Sequence, residues 1–133
     1  MSQENVEVVK EFSGLFEAGD RVKWREYFDP EVVWDTSASE LPGAGVYHGH
    51  AGIEQFIRDW LGTWIDYSVV TNELIDAGDA VVVVFRQSGT GRGSGVRTER
   101  DFFGIYDLRG SKVVRFRLYE SREEALKAAG LSE

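Results

Sequence analysis

Residues 46–64 read "VYHGHAGIEQFIRDWLGTW", and the fold turns on how this stretch is read. Ile53, Phe56, Ile57, Trp60, Leu61 and Trp64 fall at i, i+3, i+4, i+7, i+8 and i+11, the spacing of one helical face. The same stretch carries both histidines of the chain, His48 and His50, on either side of Gly49. Two histidines at this spacing can ligate zinc only if a third ligand joins them, and that ligand would have to be Asp or Glu. The other reading is a helix entry, with Gly49 making the turn and polar His50 near the N-cap. We expect the helix entry and no metal.

Upstream, Val6, Val9, Phe12, Leu15 and Phe16 form an apolar stripe that predicts a helix over 3–18. Ser2 is its expected N-cap and Gly19 its stop. Asp20 can cap a second, shorter helix carrying Val22, Trp24, Tyr27 and Phe28. Asp29-Pro30 should end that helix, because the residue before proline resists helical angles. "EVVWDT" (31–36) predicts a short strand, and "SASELPGAGV" (37–46) a Pro/Gly loop.

Downstream the pattern is strand-like. Residues 66–76 lead into the turn "DAGD" (76–79). "AVVVVFRQ" (80–87) is an almost unbroken apolar run, as for a strand covered on both faces. "SGTGRGSG" (88–95) reads as a flexible hairpin connection. Its glycines resemble part of a phosphate loop, but it opens no helix, as the dinucleotide fingerprint requires. Residues 96–108 form a long strand, "RGS" a tight turn and "KVVRFRLY" (112–119) a last, alternating strand. Ser121 and Glu124 make a capping box before a short helix that Gly130 stops. Helices preceding a meander of strands define an α+β class. A single domain spans 1–133. Its expected form is a cone, in which a curved antiparallel sheet wraps around the long helix.

Composition narrows the function. The 133 residues carry a formal charge of −8, which argues against a nucleic-acid partner, since phosphate binding needs a basic face. The absence of cysteine excludes disulfides, thiolate zinc sites and cysteine nucleophiles. No apolar run approaches a membrane span, and the polar N-terminus lacks a basic-then-apolar leader, so the expected location is cytoplasmic. Four Trp, five Tyr and eight Phe imply a ring-rich core, an apolar cavity lined by rings, or both.

The order of elements, with "FEAGD" (16–20), "YFDPEVVWD" (27–35), "YHGHAGIEQF" (47–56) and "GSKVVRFRLYESREEAL" (110–126), resembles the SnoaL-like branch of the nuclear transport factor 2-like superfamily, to which ketosteroid isomerase is related. The resemblance covers nearly the whole chain. It implies the conical α+β fold, a homodimer through the outer sheet face, and chemistry without a cofactor where there is chemistry at all. It also implies a scaffold role for His48-Gly49. The fold hosts isomerases, cyclases, hydrolases and binding modules alike.

Laid on ketosteroid isomerase without gaps, the base position falls on Thr36, with Asp35 beside it. The tyrosine position falls on Phe12, and the protonated-acid position near Phe102, with Asp101 beside it. Thr and Phe cannot supply the proton chemistry of those positions. The strand at 96–108 can turn Arg100 and Phe102 inward, or else Glu99 and Asp101. An inward Arg could hold a carboxylate or enolate oxygen. The candidate catalytic residues are therefore Asp35, Arg100 and His48. The candidate ligand-binding residues are Phe12, Phe16, Trp34, Thr36, Tyr47, Phe56, Trp60, Phe85, Phe102 and Phe116, with Tyr47 at the mouth. Arg115 and Arg117 should lie on the outer face, pairing with acids such as Glu99. The expected function is binding of a small apolar, polycyclic or terpenoid-like molecule, with isomerase, cyclase or hydratase chemistry as its catalytic form. The alternative is a non-catalytic ligand-binding or dimerisation module.

Overall fold

The computed structural model describes residues 2–131. Helix α1 (Ser2–Glu17) is followed by a 3-10 turn (Lys23–Tyr27), strand β1 (Phe28–Asp35), short β2 (Val46–His48) and helix α2 (Gly49–Gly62). Strands β3 (Trp64–Asp76), β4 (Ala80–Gly91), β5 (Arg97–Arg109) and β6 (Lys112–Tyr119) follow, and α3 (Arg122–Ala128) comes last. The six strands make one sheet in the order β2-β1-β6-β5-β4-β3. β1 runs parallel to β6 while the other pairs are antiparallel, so the expected antiparallel sheet is in fact mixed. The α+β class stands, with a curved, unclosed sheet around α1 and α2 and with α3 on its outer face.

The local chemistry explains most boundaries. Gly19 takes a positive φ of 82°, and the Asp20 amide donates back to the Leu15 carbonyl, which closes α1. The expected Ser2 cap rests on a side chain outside the described residues. Asp20 does cap the second turn, its Oδ2 accepting from the Val22 and Trp24 amides. That turn ends at Tyr27, earlier than expected. Pro30 lies inside β1, where the register against β6 slips between Phe28 and Val33. A bulge is where a strand tolerates a residue without an N–H.

The helix at 49–62 starts at the histidine pair, as expected. Gly49 has φ 70°, and a Cβ there would lie 3.1 Å from the Pro30 carbonyl oxygen. His50 Nε2 bonds the Phe28 carbonyl oxygen at 2.8 Å, and its ring meets Trp24 edge-on, so this histidine ties α2 to β1. We expect Gly49→Ala to destabilise the protein by about 1–2 kcal/mol through left-handed strain. Gly14→Ala, in the last turn of α1 with open space around it, should be neutral or stabilising. Urea denaturation of both variants checks the pair.

Trp64 leaves the helical stripe. α2 stops at Gly62 and Trp64 opens β3. Arg92, at the tip of the β4–β5 hairpin, donates to the Gly62 and Trp64 carbonyls, and its amide donates to the Thr63 carbonyl. The Gly-rich segment is thus partly strand, since β4 runs on to Gly91. Its tip caps a helix C-terminus, where a cation is favoured.

Both faces of β4 are covered. Val81 and Val83 join Val9, Phe12, Trp24, Phe28, Val32 and Ile53 in the main core on the concave side. Ala80 and Val82 pack with Ile105 under Ala125 and Leu126 of α3 on the convex side. At the β5–β6 turn both Gly110 and Ser111 have positive φ, the geometry that a two-residue hairpin favours. The Ser121 hydroxyl accepts from the Glu124 amide and starts α3.

Candidate functional site

Alternation along the strands decides which side chains face the hollow. On β1 Val32 and Trp34, and just past its end Thr36, turn to the concave side. On β4 it is Val83, Phe85 and Gln87, on β5 Arg100, Phe102 and Tyr106, and on β6 Phe116 and Leu118. With α1 and α2 these enclose a cavity of about 440 Å³. Phe16, Trp34, Thr36, Phe56, Trp60, Phe85 and Phe116 from the expected set line it, and Tyr67, Val69, Gln87 and Tyr106 complete the wall. Trp34 stacks on Phe116 with centroids 4.1 Å apart. Phe56 lies parallel to Trp60. A second cavity of about 310 Å³ adjoins the first, lined by Trp64, Arg100 and Phe102 among others. Leu41, Trp60, Tyr67 and Gln87 border both cavities.

The candidate residues do not all gather there. Phe12 is wholly buried, packed edge-on between Phe16, Phe28 and Tyr106; it belongs to the core and not to the wall. Tyr47 turns its hydroxyl to the Gly43 carbonyl and its ring to Phe56, so it supports a wall residue without lining the cavity. Thr36 is fully buried, and its hydroxyl is spent on the Gly45 backbone at 3.1 and 3.2 Å. It locks the loop behind β1.

The three candidate catalytic groups lie apart. Asp35 faces the convex side. Its Oδ1 accepts from the Ser37 amide at 2.9 Å and from the Ser37 hydroxyl, and Arg115 stands 3.9 Å away. Burial pushes its carboxyl up, but the Ser37 bonds and the Arg115 and Arg117 charges outweigh that and hold it below the ordinary carboxylate range. A carboxylate so stabilised is a poor base. His48 pairs with Val33 at the sheet edge, exposed on the convex face. Arg100 is turned inward with Phe102, its guanidinium 5.2 Å from that ring, and it borders the second cavity while pairing with Glu120. Glu99 and Asp101 face outward, where both pair with Arg86. Arg115 and Arg117 are on that convex face as well, but their partners are Asp35 and Asp107 and not Glu99. Among the described residues no three His, Asp or Glu side chains gather as a metal site, and no helix is long and apolar enough to cross a membrane.

Three polar groups of the hollow, Tyr67, Gln87 and Tyr106, are ones the sequence reading passed over. Trp60 Nε1 donates to Gln87 Oε1 at 2.9 Å. Burial pushes the Tyr67 phenol up to about 12, against the opposing effect of a hydrogen bond with Trp60. Tyr106, still more deeply buried and near Tyr67, is also raised. Tyr67, Val69 and Thr71 alternate on β3, and that period could have exposed Tyr67. The β4 run hid Gln87, because a strand buried on both faces carries no phase. Since the folded pKa of Tyr67 exceeds the unfolded value, its contribution to stability is complete below about pH 10 and is lost as pH rises toward 12. We expect an ultraviolet titration to show a phenol ionising about two units after the exposed tyrosines. Tyr67→Phe should remove that phase and leave only the later ionisation of Tyr106.

Comparison with known families and structures agrees with this fold. The model of the SnoaL-like domain matches residues 9–116. The chain belongs to the SnoaL-like domain family. Among solved structures, this SnoaL-like domain is similar to an NTF2-like protein from Burkholderia thailandensis, at 27% identity and a TM-score of 0.80, covering 86% of this chain and 88% of that one. It is similar to a candidate SnoaL-like polyketide cyclase from Mesorhizobium loti at 26% identity and a TM-score of 0.66, over 85% of this chain and 96% of that one. TerC, crystallised with polyporic acid, shares the fold at 22% identity and a TM-score of 0.78, over 96% and 98%. No curated protein sequence gives a significant match.

Proposed function

We propose that this SnoaL-like domain binds a small, largely apolar molecule, polycyclic or terpenoid-like, in the concave cavity. The observation that carries the reading is the ring-lined space of about 440 Å³ with a few polar groups in its wall, the form expected of a small-molecule site. That one neighbour was crystallised with polyporic acid and another is a candidate polyketide cyclase supports the same class of guest.

Binding is better supported than turnover. The carboxylates that border the cavity are Glu17 and Asp20; Glu17 accepts from the Thr71 amide and Asp20 caps the turn after α1. Both carboxylates are engaged in holding the rim. The phenols of Tyr67 and Tyr106 stay protonated through the neutral range, which suits hydrogen-bond donors rather than bases. Acid–base catalysis, if this domain performs it, would act through these phenols and not through Asp35 or His48.

A thermal-shift screen against steroids, aromatic polyketides and terpenoids tests the reading, with quenching of tryptophan fluorescence as a second readout. A guest that binds only the native state raises Tm, and one in this cavity would touch Trp34 and Trp60. No shift and no quenching across all three classes would remove the reading.

A further inference from the structure

The neck between the two cavities holds a hydrogen-bond arrangement with two donors left over. The Trp60 indole N–H is given to Gln87 Oε1 at 2.9 Å. The indole can only donate, so the Gln87 amide is oriented with Oε1 toward Trp60. The Tyr67 O–H and the Gln87 amide N–H₂ remain, and neither has a partner among the described residues. Both side chains border both cavities.

An apolar guest that filled the hollow would displace water from these donors and leave them unpaired. An unsatisfied buried donor is costly. A guest avoids that cost only by bringing an acceptor to the neck. A carbonyl oxygen has two lone pairs for two donors. We infer that the Tyr67–Gln87 neck recognises a carbonyl or phenolate oxygen in the middle of an elongated ligand, whose apolar parts lie in the two cavities on either side. The inference rests on the binding function proposed above. The Trp60 bond fixes the Gln87 orientation: with Oε1 turned to the indole, the amide N–H₂ is left to face a ligand beside the Tyr67 O–H.

Shape-matched pairs that differ in one group test this: 9-fluorenone against fluorene, and anthraquinone against anthracene. Dissociation constants are measured for the wild type, Tyr67→Phe, Gln87→Leu and Gln87→Met. The ratio of ketone to hydrocarbon affinity is compared between proteins, which cancels the difference in water solubility of the probes. Each substitution is expected to lower that ratio by about five- to tenfold, weakening the ketone and leaving the hydrocarbon equal or tighter. A ratio unchanged in all three variants, with both members of a pair bound, overturns the neck and leaves the cavity function standing. Failure of the wild type to bind either member of either pair overturns both.

Discussion

Phe12→Ala is expected to destabilise this SnoaL-like domain by about 3–5 kcal/mol, the largest stability loss we foresee for a single substitution. The Phe12 side chain is fully buried, with the rings of Tyr106, Phe28 and Phe16 at 4.8, 5.0 and 5.8 Å. Those neighbours come from β5, β1 and α1, three elements that cannot all shift to close the gap. The loss therefore includes a cavity contribution as well as the lost burial. A domain of this size has a stability of roughly 5–15 kcal/mol, so the variant should stay folded but unfold at much lower urea. The affinity of the folded variant for cavity guests should change little, because Phe12 lines no wall. Urea denaturation read with a binding titration checks both halves. A loss below about 1 kcal/mol, or a lost guest with stability intact, would return Phe12 to the binding site.

Val69→Trp should weaken binding of any guest in the main cavity by roughly thirtyfold or more, about 2 kcal/mol, while the fold survives. Val69 sits on the edge strand β3, opposite Gln87, and borders the cavity. An indole there occupies space the guest would need. The open volume in front of it limits the overpacking that makes core enlargements costly. The control is next in sequence: Val70 is 51% exposed on the other side of the same strand. Val70→Trp adds the same ring to the same backbone without touching the hollow, and should bind within about twofold of the wild type. Equal affinity for all three proteins would mean that guests bind elsewhere.

How far the sequence could be read depended on periodicity. The helix at 49–62 was legible because five apolar residues within it keep a helical step and Gly49 supplies a backbone angle that other residues resist. β6 was legible in its bounds and in its second half, where Phe116 and Leu118 alternate with Arg117 and Tyr119; at its start a register slip against β5 buries Val113 in place of Val114. The wall residues on these elements, Phe56, Trp60 and Phe116, followed from the pattern. Residues 96–102 were not legible, because charges occupy both phases of the strand. The register against β4, with Phe102 opposite Phe85 and Asp101 opposite Arg86, resolved it. Arg86 pairs with Glu99 and Asp101 in solvent, and Phe102 stacks on Phe85 inside. Asp35 was attractive as a base only by its place beside Thr36. One residue of offset puts a strand side chain on the opposite face.

The sequence by itself determined the class of fold, the order of its elements, the helix entry at Gly49 and the abundance of rings on inward faces. These depend on local backbone preference and on the period at which apolar residues recur, and both are written along the chain. Only the tertiary structure decided which rings are core and which are wall. It alone brought Trp60 of α2, Tyr67 of β3 and Gln87 of β4 to one neck, and sent Asp35 and His48 to the opposite side of the sheet. Such placements depend on strand pairing between residues far apart in sequence, and on the curvature of a sheet that does not close. Neither leaves a periodic trace in the chain.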